Sequence, residues 1–118
     1  MECRRQARQD AQLPLQDRRI IGTFHYYKPL QFTHQGASWL NDSAPWRGTR
    51  WTGTPQEREE LRKDFELAAG WFQQTHRPLY LGEFGAYQEA NVDDRALWTR
   101  TTQQRSFWTR IDTPCNQK

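Results

Sequence analysis

Leu79-Tyr80-Leu81-Gly82-Glu83-Phe84-Gly85 is the stretch whose reading decides the fold. Pro78 ends whatever precedes it, and Leu79, Tyr80 and Leu81 are good strand residues. Strand side chains alternate between faces, so the spacing predicts Leu79, Leu81 and Glu83 on one side. A carboxylate sharing a face with two leucines is out of place in a purely structural strand. Gly82 and Gly85 flank it and allow another backbone or a ligand to come close. An isolated strand-end Glu reads as simply solvated. The apolar face, the glycines and a second strand of the same kind argue instead for a catalytic carboxylate.

That second strand covers residues 20–27, IIGTFHYY, β-branched and aromatic and closed by Pro29. Period two places Ile21, Thr23, His25 and Tyr27 on one face, so His25 and Tyr27 emerge together at its C-terminal end. A histidine beside a tyrosine is more often a satisfied core pair. Its place at a strand end, like that of Glu83, favours a functional role.

Residues 28–53 show no clear period and hold Trp39, Trp46 and Trp51 in a setting rich in Pro, Gly, Ser and Thr. Long ordered loops in compact domains are usually functional. The three Trp either stack on sugar rings or other flat apolar faces, or cluster under the loop. A mixture is expected, with at least one on the ligand side. Residues 54–75 predict a helix: Thr54 caps it, Pro55 takes the first turn and Glu57 completes a capping box. Leu61, Phe65, Ala68 and Phe72 follow the helical period and predict its buried face. A second helix is expected over about residues 92–107, with Asp93 and Asp94 in its first turn. Residues 109–118 show a possible strand start at Ile111, then Pro114, and no finished element. Residues 1–16 are polar and broken by Pro14, with a possible short helix over 2–13. The order is strand, long loop, helix, strand, loop, helix, a βα pattern that implies a parallel sheet. In such sheets functional residues sit at the C-terminal strand ends, where His25, Tyr27 and Glu83 fall.

The totals narrow the class. With 118 residues the chain is one domain at most. Apolar residues are only 35% but six are Trp, so large flat side chains are available for a core or a ligand surface. The net charge of +3 comes from scattered arginines rather than a basic stripe on one element, which argues against nucleic acid. No apolar run approaches the roughly 18 residues of a membrane span. Residues 1–12 carry charges without an apolar core and do not read as a signal peptide. Cys3 and Cys115 form neither a framework nor a metal motif, and free thiols fit better than a pair. His25 and His34 lack ligand spacing and no Cys or acid completes a set, so no metal site is expected.

Phe24-His25-Tyr26-Tyr27, then Phe32-Thr33-His34-Gln35-Gly36-Ala37 with Trp39, then Gly82-Glu83-Phe84-Gly85, with Arg95 and Trp98 after the acid, together form a specific set. The chain resembles the C-terminal part of family-5 glycoside hydrolases, the cellulase family. The resemblance runs from about Leu13 to Trp98. It implies an α/β fold that is part of a (β/α)8 barrel, approximately strands six and seven with their helices. In the family the pattern H-x-Y ends the sixth strand, which maps onto His25 and Tyr27. The Glu of GEFG ends the seventh and is the nucleophile, which maps onto Glu83. The resemblance implies retaining, endoglucanase-like hydrolysis of β-1,4-glucan. It implies no cofactor and a secreted or periplasmic location. Trp39, His34 and Trp46 are the expected substrate-binding residues.

Three features depart from the family pattern. Its acid/base Glu ends the fourth strand within an Asn-Glu-Pro motif, which does not occur here. The eighth strand and its active-site Trp are not recognisable in residues 106–118. A whole barrel takes about 250 residues. The expected organisation is an unmatched extension over 1–12, a partial catalytic domain over 13–108 and an irregular tail over 109–118. A partial barrel leaves strand edges open to self-association. The alternative to a nucleophile-bearing enzyme fragment is a non-catalytic remnant that binds glucan through its loop Trp residues or self-associates.

Overall fold

The computed structural model describes residues 17–115, with side chains of the last helix described through Ser106. The possible helix over 2–13 and the pairing of Cys3 with Cys115 lie outside the described residues. The elements in order are β1 (Gly22–Tyr26), a short helix α1 (Leu30–Thr33), a 3-10 turn (Ala44–Trp46), α2 (Pro55–Thr75), β2 (Leu79–Phe84) and α3 (Val92–Cys115). β1 and β2 pair in parallel as a two-stranded sheet. Parallel neighbours require a long crossover, which the loop and α2 supply.

β1 is shorter than the run of strand-forming residues predicts. Its ladder begins where Gly22 N donates to Pro78 O at 2.9 Å, while Ile20 N turns back to Asp17 O. Ile21 precedes the ladder and is exposed.

The α2 start is the predicted capping box. Glu57 N donates to the Thr54 hydroxyl at 3.2 Å, and Thr54 N donates to the Glu57 carboxylate at 2.9 Å. Such a cap is worth about 1 kcal/mol. At the other end His76 takes a left-handed conformation with φ 54°, and its N–H closes on Phe72 O. The buried face of α2 is Leu61, Phe65, Ala68 and Trp71, not Phe72, which is half-buried. The reason lies in β1. Gly22 has no side chain, and a Cβ there would come within 2.5 Å of the Trp71 ring. The indole fills the space that the glycine leaves.

One face of the sheet and the inner faces of α2 and α3 share the core. Phe24 and Tyr26 of β1 pack on Phe65 of α2, with ring centroids 5.7 and 5.0 Å apart. Trp98 of α3 is wholly buried, stacks on Tyr26 at 6.2 Å and donates its indole N–H to Lys28 O at 3.0 Å. Leu79, Leu81 and Phe84 of β2 close the same cluster. Burying each such large apolar side chain contributes about 1.5–3 kcal/mol. α3 runs on to Cys115, so the chain after residue 107 continues a helix where the sequence suggested an irregular tail.

The strand pairing corrects one sequence expectation that matters for the site. Phe24 pairs with Leu81, but His25 pairs with Glu83, so β2 carries a bulge at Gly82. The extra residue resets the alternation. Leu79 and Leu81 face the helices, Tyr80 and Gly82 face the other way, and Glu83 then stays on that second side. Glu83 therefore does not share a face with the two leucines. It shares one with His25, its partner across the ladder.

The long segment after β1 is fixed by buried polar groups. The Gln35 side chain donates to Phe32 O and Thr49 O and accepts from Gly48 N, which uses both of its N–H donors and one acceptor position. Asp94, at the start of α3, is buried and accepts from Arg50 Nε at 2.5 Å, from Arg50 Nη2 at 3.1 Å and from Trp51 N at 3.2 Å. The Arg50 guanidinium beside it, with the Trp51 N–H, holds the Asp94 carboxyl below the ordinary carboxylate range against the opposing effect of burial. Asn91 caps the same helix through Asp93 N and Asp94 N.

Candidate active site

Glu83, Tyr27 and His25 converge at the C-terminal ends of β1 and β2. β1 ends at Tyr26, so Tyr27 leaves the ladder with its ring still directed to the side of His25. The Tyr27 hydroxyl donates to Glu83 Oε2 at 2.7 Å. His25 Nδ1 lies 3.4 Å from the same oxygen. The other carboxylate oxygen, Oε1, takes no partner among the described residues, and the Glu83 side chain is 58% exposed. One oxygen is thus held and the other is free among the described residues. A hydrogen bond to an ionised acceptor is among the stronger neutral–charged contacts, about 1.5–3 kcal/mol. Here it also sets the direction of the free oxygen.

Gly82 makes this arrangement possible. A Cβ at Gly82 would lie 2.6 Å from Thr23 Oγ1 and 3.5 Å from the His25 ring. Only a glycine lets the bulge sit flat against β1 and bring Glu83 level with His25.

A row of aromatic rings runs outward from the carboxylate. Tyr27 meets His34 edge to face at 5.2 Å, His34 meets Trp39 at 6.3 Å, and Trp39 meets Tyr87 at 4.9 Å. Trp39 is 65% exposed at the outer end of the row. Thr33 and Tyr87 hold the row together. The Thr33 hydroxyl donates to Tyr27 O, and Tyr87 N donates to Thr33 O at 2.7 Å. The three loop tryptophans differ in burial. Trp51 is buried in the core cluster, Trp39 lies at the site, and Trp46 sits half-buried in the 3-10 turn. Trp46 joins none of these ring contacts among the described residues.

The family model Cellulase (glycosyl hydrolase family 5) matches residues 4–110. The chain belongs to glycosyl hydrolase family 5. Among family relatives, Endoglucanase H of Acetivibrio thermocellus is 35% identical over 79 residues, covering 67% of this chain and 7% of that protein. Cellodextrinase A of Ruminococcus flavefaciens is 30% identical over 82 residues, covering 70% of this chain and 24% of that protein. The structure of Thermotoga maritima Cel5A in complex with mannotriose superposes with a TM-score of 0.79 at 38% identity, over 83% of this chain and 32% of that one. The chain thus spans between 7% and 32% of the length of these relatives.

The fold is accordingly a partial (β/α)8 barrel, approximately strands six and seven with their helices. In a family-5 barrel one sheet face turns to the helices and the other to the barrel interior. That explains why Ile21 and Tyr80, on the side away from α2 and α3, are exposed here at 65% and 61%. The C-terminal strand ends, where barrel enzymes carry their chemistry, bear Tyr27 and Glu83.

The parts that two residues play in this candidate site are not legible in the sequence. Tyr87 lies four positions beyond Glu83, and its aromatic ring in the loop after Gly85 is the available signal. Thr33 stands in the motif that carries the family resemblance, but nothing local announces that its hydroxyl reaches back to Tyr27.

Proposed function

We propose that this chain supplies the nucleophile of a retaining β-1,4-glucanase, with Glu83 as that nucleophile. The observation that carries the proposal is the Tyr27 hydroxyl on Glu83 Oε2, with Oε1 left open at the strand end. In the first step Oε1 attacks the anomeric carbon, and the bond from that carbon to the leaving oxygen breaks. A second carboxyl group, about 5–5.5 Å from the first, protonates the leaving oxygen. Water activated by the same group then cleaves the glycosyl ester. Tyr27 keeps Glu83 aimed, and His25 steadies the same oxygen. Trp39 and His34 receive a sugar ring beyond the point of cleavage, with the Trp39 face as the apolar platform.

The acid/base group belongs to the part of the barrel that carries the fourth strand, because no Asn-Glu-Pro motif occurs among these residues. The names Endoglucanase H and Cellodextrinase A support a β-glucan substrate. Cel5A has been captured with both mannotriose and cellobiose, which supports a site that admits more than one β-linked hexose. A secreted or periplasmic setting fits a polymeric substrate.

The test is reducing-sugar release from carboxymethylcellulose. The chain alone is expected to be inactive, since general acid catalysis contributes about 10²–10⁴-fold. Assembly with a polypeptide carrying the first five strands of a related barrel is expected to restore turnover, and Glu83→Gln to abolish it. Activity of the chain alone that survives Glu83→Gln would refute the assignment.

A second reading is a non-catalytic remnant that binds glucan or self-associates. The exposure of Trp39, Ile21 and Tyr80 favours it, because these apolar surfaces act without any acid/base partner. Light scattering separates the two: a monodisperse monomer that melts cooperatively counts against self-association.

A further inference from the structure

Thr33 is 1% exposed, and its hydroxyl sits between two groups of the site. On one side is Tyr27 O, a carbonyl that can only accept, so the Thr33 proton goes there. On the other side, at 2.8 Å, is His34 Nδ1. With its one proton spent, the Thr33 oxygen can only accept from Nδ1, so Nδ1 carries a hydrogen. In a neutral imidazole only one nitrogen is protonated. Nε2 then bears the lone pair. It has no partner among the described residues and is not one of the buried atoms lacking one, so it opens to solvent. The His34 ring itself is held edge to face between Tyr27 and Trp39.

We infer that Thr33 is a positioning residue that fixes His34 in the Nδ1–H form and presents Nε2 as a hydrogen-bond acceptor for a sugar hydroxyl. This rests on the glucan-binding reading of the Trp39 row. It adds a polarity to that row: the subsite selects a ring that places a hydroxyl donor at His34, and it disfavours one that places only an ether oxygen there. The logic is that of an orienting group one step behind a functional histidine.

The experiment is nitrogen-15 NMR of the imidazoles of His25, His34 and His76 in the 118-residue chain. Signals are assigned by His→Gln variants and recorded near pH 9, where a free imidazole is neutral. His34 is expected to show a protonated Nδ1 and an unprotonated Nε2. Thr33→Ser is expected to keep that pattern, and Thr33→Val to lose it. Cellotriose is expected to shift the His34 Nε2 signal and leave His76 unmoved. An Nε2–H form of His34 in the parent chain overturns the inference even if Thr33→Val does not fold, and leaves the role of Glu83 untouched. An Nδ1–H form that ignores millimolar cellotriose overturns the sugar-facing role and, with it, the place of His34 in the proposed function.

Discussion

The Tyr27 hydroxyl reaches Glu83 Oε2 at 2.7 Å from the neighbouring strand, and no other side-chain hydroxyl among the described residues bonds to that carboxylate. Removing it tests whether the contact aims the proposed nucleophile or merely accompanies it. In an assembled barrel, Tyr27→Phe is expected to lower kcat by about ten- to a hundredfold, the rate equivalent of one charge-assisted hydrogen bond. KM is expected to move little, because the ring of Phe still packs on His34. Steady-state kinetics on a soluble glucan reads both. An unchanged kcat would mean that Glu83 needs no partner.

Gly82 sets the register that brings Glu83 to His25. Since an added methyl meets Thr23 Oγ1 at 2.6 Å, and Thr is stiff about its first torsion, Gly82→Ala is expected to destabilise the chain by about 1–3 kcal/mol. Trimming the obstacle with Thr23→Ala in the same chain is expected to recover most of the loss. Urea midpoints of the two single variants and the double variant form the cycle that measures this coupling.

The sequence made much of this legible, and the rest failed for identifiable reasons. Thr54, Pro55 and Glu57 announced α2 because capping is local chemistry. Tyr27 and Glu83 were placed together because both stand at the ends of strands that a βα order makes parallel. Period two puts Glu83 on the wrong face because it fails at a bulge, and Gly82 alone does not say which strand holds the extra residue. The helical period admits Phe72 as well as Trp71, and only Gly22, on another element, makes room for the indole. The Gln35 and Asp94 bonds join residues far apart in sequence, so no window of residues contains both partners.

Asp94 gives a pH signature. Its folded carboxyl is held below the ordinary value of 3.8, chiefly by Arg50, so the unfolded chain binds the proton more readily. The stability it contributes is therefore complete above the unfolded pKa and is lost as pH falls through the folded one. At pH 7, Asp94→Ala is expected to cost about 1–3 kcal/mol, because the Trp51 N–H loses a buried acceptor. As pH falls below about 4, the parent and variant unfolding curves are expected to approach each other. A gap that stays constant with pH would remove the ion pair from the explanation.

Trp39 is exposed and held on its edge by Tyr87, so its loss should cost ligand rather than fold. Trp39→Ala is expected to weaken glucan retention in affinity electrophoresis by about tenfold, on the scale of one aromatic contact near 1.4 kcal/mol. Its urea midpoint is expected to stay within error of the parent. Trp51→Ala makes the contrast, because that ring lies in the core and its removal is expected to cost about 3–5 kcal/mol.

The proposed nucleophile can be tested by trapping. A 2-deoxy-2-fluoro-β-cellobioside with a dinitrophenolate leaving group needs little help from a general acid, and its fluorine slows hydrolysis of the glycosyl ester. Incubated with the assembled barrel and digested with protease, it is expected to leave one fluorocellobiosyl adduct, located by mass spectrometry on Glu83. The same treatment of the Glu83→Gln assembly is expected to leave none. An adduct on any other carboxylate, in an assembly that turns over glucan, would contradict the assignment of Glu83 as the nucleophile.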